Sequence, residues 1–398
     1  MQPAKNANKA RSKSGGEGLL YFGEMQSGFE IVVIGGGVIG LSCAWKLAQR
    51  GVKVAIYDRL TAGREASFAA GGMIAPACET LVHPWPCDEP ESAKMRELCF
   101  VSRDTFPQFA AELLSLTGHD IELCLVGAPT KDWRKPGILY IPQLDPPQNG
   151  RIADEIRLNG TSRFLGEKEG IWFQNDGHVD NRKLVDALRA ACVSAGVSIF
   201  ENAPVRRFEI EGNHVRRVWF GEDESVEADQ FLLCAGAWSA KFAGIPPEIV
   251  PPIVPLAGQM LQLRGERRLS HVVYSESCYL IPRRDGRLLV GATTENNGFT
   301  KRVSAGGIFD LLRHALELVP DLRDAPLESH WAGLRPLTPD GLPILGRSAV
   351  ENLFFATGHA RNGILLAPET ARLLCEAMLD FATIDPAFSV ERFAGMTG

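Results

Sequence analysis

The sequence lacks any pairing among its cysteines: nine are scattered at 43, 78, 87, 99, 124, 192, 234, 278 and 375, with no Cys-x-x-Cys. An odd count without paired spacing excludes a disulfide framework and a zinc ribbon. Cys43, Cys192, Cys234 and Cys375 fall in apolar helix-like or strand-like patterns, so reduced core thiols of a cytoplasmic protein are expected. The eight histidines show no metal-ligand spacing either, and no metal is expected. No apolar run reaches the roughly 18 residues that a membrane-spanning helix needs. Excess positive charge is also missing. Against 48 Asp and Glu stand 42 Lys and Arg, a net charge of −6 that argues against nucleic acid as the main partner.

Residues 1–28 look separate from the rest. The stretch MQPAKNANKARSKSGGEG has almost no apolar content, and Lys5, Lys9, Arg11 and Lys13 are not followed by the apolar segment of a secretory signal. A disordered basic tail is the expectation, with Met25 as an alternative start.

What is present begins at Phe29. With 398 residues, 45% hydrophobic and 23% charged, the chain is a globular one long enough for two domains. FEIVVI reads as a strand, GGGVIG as a turn, LSCAWKLAQRG as a helix, and VKVAIYD as a second strand ending in Asp58. Gly35 permits the tight turn, Gly37 admits a pyrophosphate to the backbone, and Gly40 allows close packing of helix on strand. Val38 and Ile39 open the helix whose N-terminal N–H groups and positive dipole end face the phosphates. Asp58, 23 residues beyond Gly35, is placed to accept hydrogen bonds from a ribose diol and to repel a 2′-phosphate. A dinucleotide is expected, and the motif alone does not separate NAD from FAD.

The next run, GREASFAAGGMIAP, is rich in Gly, Ala and Ser but carries Met73, Ile74 and Pro76, which a flexible linker would not. Small residues let backbone run close against a large flat ligand. The opening block together with EASFAAGGMIAP resembles the D-amino-acid-oxidase-like family of FAD-dependent amine oxidoreductases, and within it the glycine oxidases of the thiamine pathway. The resemblance extends from Phe29 to near the C-terminus. It implies non-covalent FAD held by Gly35, Gly37, Val38, Ile39, Gly40, Asp58, Arg59, Ala66, Ser67, Gly71, Gly72 and Met73. It further implies that Val205 offers its backbone to the adenine, and that Gly236 and Trp238 pass close to the cofactor. No cysteine lies between Cys278 and Cys375, where a covalent flavin link would be made.

The fold expected is α/β: a Rossmann-like FAD-binding domain from residues 29–106, 171–249 and 331–398, with a mostly antiparallel β-sheet substrate domain inserted as residues 107–170 and 250–330. In HVDNRKLVDALRAACVS, Asp180 or Asn181 can cap a helix with Leu184, Val185, Leu188, Ala191 and Cys192 as its apolar stripe. VSIFENAPV adds a strand, and residues 206–231 alternate as a hairpin across EGNH.

The chemistry is expected late in the chain. Flavin amine oxidation removes a hydride from the carbon beside a neutral amine, so the protein mainly orients substrate. A carboxylate-bearing substrate needs one fixed planar cation, and Arg335 in HWAGLRPLTPDGLPILG fits, with Pro336 keeping its backbone extended. Pairing of Arg335 with Asp340 is the alternative. The resemblance implies that Tyr279 contacts the same carboxylate and that Arg361 is a second substrate contact; an aromatic packed in a sheet and a solvated loop cation are the alternatives. Gly333 and the block His359, Ala360, Asn362, Gly363 and Ile364 are expected to line the flavin, whose developing charge a helix N-terminus can stabilise. His359 either packs against the flavin or holds its loop. Ala360 departs from the family, which carries a bulky aromatic there, so the pocket beside Arg361 is enlarged and sarcosine or small D-amino acids become plausible beside glycine. O2 as acceptor, giving H2O2, is expected, with a quinone-linked D-amino-acid dehydrogenase, a sarcosine oxidase or a non-catalytic subunit as alternatives. The resemblance implies a homo-oligomer, a tetramer among its forms.

Overall fold

The computed structural model describes residues 28–82, 90–126, 134–142, 160–165, 168–264 and 269–394. The tail expected over residues 1–28 lies outside them except for Gly28. Two eight-stranded sheets organise the chain. The first grows from Phe29–Ile34, a strand buried on both faces at Val32 and Val33, as a layer sandwiched between two others must be. Val54–Tyr57, Ser198–Phe200, Ser225–Leu233 and Leu353–Thr357 extend it in parallel, and Ile344–Arg347 closes one edge antiparallel. The expected hairpin forms, with Arg207–Glu211 against His214–Trp219, and joins this sheet through Ser225–Leu233.

Four helices cover one face: Val38–Gln49, Pro90–Thr117, Asn181–Ser194 and Gly363–Leu379. Asp180, not Asn181, is the N-cap of the third, its carboxylate accepting from the backbone N–H groups of Arg182 and Lys183. All five residues of the expected stripe are buried without exposure. Trp45 is fully enclosed between this helix layer and the sheet, a side chain whose burial alone contributes about 2–3 kcal/mol.

The second sheet runs in the order Leu327–Leu337, Val254–Arg264, Arg287–Gly291, Tyr279–Pro282, Val272–Tyr274, Ile138–Tyr140, Lys168–Phe173, Gly160–Leu165. Only the pairing of Val272–Tyr274 with Ile138–Tyr140 is parallel, so the expected mostly antiparallel sheet is present. Helix Ala305–Leu318 covers one face through Leu311, Ala315 and Leu318.

The sheets do not change over where the sequence placed the boundaries. Residues 107–117 continue helix Pro90–Thr117 and pack with the nucleotide-side helices, because Phe106 and Phe109, flanking Pro107, are both buried there. Tertiary packing outweighs the missing proline N–H. Strand Leu327–Leu337 belongs to the antiparallel sheet along its whole length, seven residues past 330, and Lys168–Phe173 does so past 170. Arg335 therefore sits on the edge strand of the second sheet.

Candidate active site

Strand Phe29–Ile34 ends at Gly35, whose φ of +104° lies in the region that favours glycine. A Cβ on Gly40 would collide with the Gly35 carbonyl oxygen, so turn and helix close only around glycine. Gly37 caps helix Val38–Gln49 without a side chain, and the Val38 N–H donates instead to Ser67 Oγ at 2.9 Å. Asp58 Oδ2 accepts the Gly36 N–H at 2.7 Å and Oδ1 the Leu60 N–H at 2.9 Å. Burial nonetheless pushes its carboxyl upward, the two backbone bonds acting against that. Arg59 lies 3.5 Å over the Trp238 ring and pairs with Glu65 at 2.6 Å.

One cavity of about 570 Å³ runs from this loop to the second sheet. Every site residue named from the sequence lines it except Gly40, which packs behind the loop. The small-residue run forms one wall and is tied to the start of helix Asn181–Ser194 and to the second sheet. Asn181 Nδ2 donates to the carbonyls of Ser67 and Phe68 at 2.8 and 3.0 Å, and Trp331 Nε1 to that of Ala69 at 2.9 Å.

At the far end Arg335 stands opposite Leu256 in register, and its guanidinium lies across Gly258, where a Cβ would occupy the same space. Arg335 Nη1 donates to the carbonyl oxygens of Thr293 and Ala257 at 3.2 and 3.4 Å. The alternative pairing with Asp340 is not made: Asp340 is held by Arg392 at 2.6 and 3.1 Å. Among the described residues no carboxylate lies within ion-pair distance of Arg335. Tyr279 lines the same end, its ring over Gly291 and its hydroxyl 3.7 Å from Met260 Sδ. Burial raises its hydroxyl, and the nearby Arg335 charge pulls it back.

The loop before helix Gly363–Leu379 closes the cavity. His359 is buried, with Nε2 3.1 Å from Thr370 Oγ1, so it ties the loop to the helix while lining the cavity. Burial drives its imidazole down to about 3, which keeps it neutral. Ala360 has φ +47°, and its N–H donates to the Pro336 carbonyl at 2.9 Å, fixing the loop beside Arg335. Arg361 is part exposed; its Nε stands 3.8 Å from Glu79 Oε2, so it faces a buried acid rather than solvent alone.

The family description "DAO: FAD dependent oxidoreductase" matches residues 30–377. The chain belongs to this FAD-dependent oxidoreductase family. It is 37% identical over 388 residues to the bifunctional protein ThiO/ThiG of Synechocystis sp., covering 94% of this chain and 55% of that protein. The chain thus spans about half the length of the ThiO/ThiG relatives it matches. It is 34% identical to a glycine oxidase of Pseudomonas aeruginosa, over 90% of this chain and 97% of that one. The crystal structure of glycine oxidase from Geobacillus kaustophilus superposes with a TM-score of 0.80 at 30% identity, covering 92% and 98%.

FAD is therefore the cofactor of this oxidoreductase, and the residues present fit it. The glycine turn, the helix N-terminus without a side-chain cap and Asp58 form a dinucleotide cradle, continuous with a cavity long enough to continue to Arg335. Among the described residues no helix is long and apolar enough to cross a membrane, and no group of side chains could hold a metal ion.

Three residues of this flavoprotein's site escaped the sequence. Glu79 lines the cavity and is 7% exposed; a lone acid behind the apolar run MIAPAC was the available signal. Tyr274 donates to Glu79 Oε1 at 3.1 Å from a strand read only as sheet. Buried Arg283 donates to the Gly71 carbonyl at 2.9 Å, and nothing in LIPRRDG separates it from its half-buried neighbour Arg284.

Proposed function

We propose that the protein is an FAD-dependent amine oxidase acting on glycine and other small amines, including sarcosine and D-alanine. The amine is oxidised to the imino acid while O2 is reduced to H2O2, and water then converts the imine to the 2-oxo acid, releasing the nitrogen as ammonia or, from an N-alkyl substrate, as the alkylamine. The observation that carries this reading is Arg335: a cation fixed by two carbonyls, without a carboxylate partner among the described residues, in the cavity that begins at the dinucleotide cradle. Likeness to the ThiO/ThiG protein and the glycine oxidases supports the amine substrate and a place in thiazole formation for thiamine. A cytoplasmic homo-oligomer belongs to the same reading and rests on the family resemblance.

Bound FAD supplies the hydride acceptor. Cys278 and Cys375 do not line the cavity, and Cys234, which does, is buried with its thiol held well above the ordinary range and so protonated, which fits non-covalent retention. Arg335 presents its planar fork to the substrate carboxylate, and the carbonyls of Thr293 and Ala257 keep it from turning away. The Tyr279 hydroxyl is available to donate to the same carboxylate. Met260 and the Ala69–Gly71 backbone exclude water from that end. The N-terminus of helix Gly363–Leu379 places its positive end at the cavity wall, where negative charge is stabilised.

The test is a substrate panel of glycine, sarcosine, N-ethylglycine, D-alanine and D-proline, read by peroxide release. Peroxide with glycine and at least one N-alkyl amine is expected. Dye reduction without peroxide assigns the chain to the dehydrogenases, and no reduction by any amine overturns the reading.

Ala360 sets the size of that substrate in the same scheme. Phe at this position should cut kcat/KM for N-ethylglycine about tenfold relative to glycine, the worth of a lost methylene-sized pocket. An unchanged substrate ratio would remove Ala360 from the wall.

A further inference from the structure

An amino acid carries two charged ends, and Arg335 with Tyr279 accounts for only one of them. Three acids line the cavity: Asp58, Glu65 and Glu79. Asp58 is engaged by the N–H groups of Gly36 and Leu60, and Glu65 pairs with Arg59 and Lys301, both toward the dinucleotide cradle. Among the described residues Glu79 alone stands at the Arg335 end. It is buried on the short helix Pro76–Val82, where an ionised carboxylate is costly unless something cationic meets it. Among the described residues its one hydrogen-bond donor is Tyr274, at 3.1 Å, while Arg361 Nε remains 3.8 Å away. The carboxylate thus keeps acceptor capacity open to the cavity.

We infer that Glu79 receives the substrate's ammonium end, accepting its hydrogen bond and taking the proton that must leave nitrogen before the adjacent carbon can lose hydride. This rests on the amine-oxidase reading above. In the transfer an N–H bond of the ammonium breaks and an O–H bond forms on Glu79. Nitrogen keeps the electron pair, which becomes the second bond of the imine as the C–H pair departs. The zwitterion then spans the cavity from Arg335 to Glu79, so the pair selects an amine over a hydroxy acid of the same shape.

Among the described residues the titratable and charged groups facing Glu79 are these. Arg361 and Arg335 attract its negative form and Tyr274 donates to it; Tyr279, Asp176, Cys78 and Cys99 are the other titratable neighbours. Burial is the largest influence and raises the carboxyl above the ordinary range, with Arg361, Tyr274 and Arg335 opposing it. A carboxylate so placed is a better proton acceptor than an exposed one.

Two measurements on FAD-loaded protein test this. The first follows kcat/KM for glycine against pH. The wild type should lose rate as pH falls through the raised Glu79 value. Glu79→Gln should lose on the order of 10²-fold at neutral pH and recover as pH climbs toward the amine's own pKa, because only neutral amine then reacts. Tyr274→Phe, which removes the donor to the carboxylate, should move the acidic limb to higher pH. The second measures binding through the flavin spectrum, using 2-aminoisobutyrate, which has no hydrogen on its α-carbon, and 2-hydroxyisobutyrate. Wild type should prefer the ammonium ligand, and Glu79→Gln should lose that preference by about tenfold or more. An unchanged ligand preference together with an unmoved acidic limb in both variants overturns the assignment alone. A wild type that no amine reduces overturns the amine-oxidase reading and this assignment with it.

Discussion

Arg335→Ala should lower kcat/KM for glycine on the order of 10²–10³-fold while the purified protein stays yellow. The size follows from truncating one member of a desolvated, hydrogen-bonded charge pair, which costs roughly 2–5 kcal/mol. Most of the loss should appear in KM, since the guanidinium binds a carboxylate that does not change charge during the reaction. Flavin should be retained because the described partners of Arg335, the carbonyls of Thr293 and Ala257 and the neighbouring Tyr279, lie at the end of the cavity away from the glycine turn. Arg335→Lys keeps the charge but not the planar fork, so an intermediate loss is expected. Steady-state kinetics with flavin absorbance per protein decides it. Unchanged kinetics in the alanine variant would take Arg335 out of the site, whereas loss of flavin would make it a structural residue.

The nucleotide half of the site was legible because its signals are local. Strand, glycine turn, helix and Asp58 lie within 30 residues of one another, and each part constrains the next. Arg335 could be singled out for another reason: a lone cation stands in an apolar run with a following proline, in a block that resembles the family's. Its one structural competitor, Asp340, fell only when the fold brought Arg392 to it across 52 residues. Glu79 and Tyr274 were not legible, because they meet across 195 residues and nothing in either segment names the other. The sheet boundaries were misplaced for a related reason. Pro107 is a local helix breaker, but it sits between Phe106 and Phe109, whose burial against the other helices depends on the whole layer. Ala360 was legible as a departure from the family, while its left-handed backbone and bond to Pro336 belong to the fold.

Arg283→Met should produce the largest loss of stability of any single change considered, and should carry flavin occupancy down with it. Arg283 is 1% exposed and joins the end of strand Tyr279–Pro282 to the small-residue run and to the start of helix Asn181–Ser194 through three acceptors. Its Nη1 bonds the Val179 carbonyl at 2.9 Å, and its Nη2 bonds the Gly71 carbonyl at 2.9 Å and Asn181 Oδ1 at 3.0 Å. Asp180 Oδ2 stands 3.9 Å from its Nε and also meets Arg287 at 3.2 Å. Methionine fills much of the space but donates nothing, leaving buried carbonyls unmatched and Asp180 with Arg287 and its two capped backbone N–H groups as remaining partners. Removing one partner of such a buried network costs about 3–5 kcal/mol. For a chain of this size that corresponds to a fall in melting temperature of about 5 °C. The Gly71 carbonyl belongs to the run that lines the cavity, so its release should loosen the wall that FAD packs against. Arg283→Lys can keep one or two of the bonds and should fall between. Thermal unfolding with and without added FAD measures both effects. A methionine variant that melts with the wild type at full flavin content would show that the strands hold the wall without Arg283.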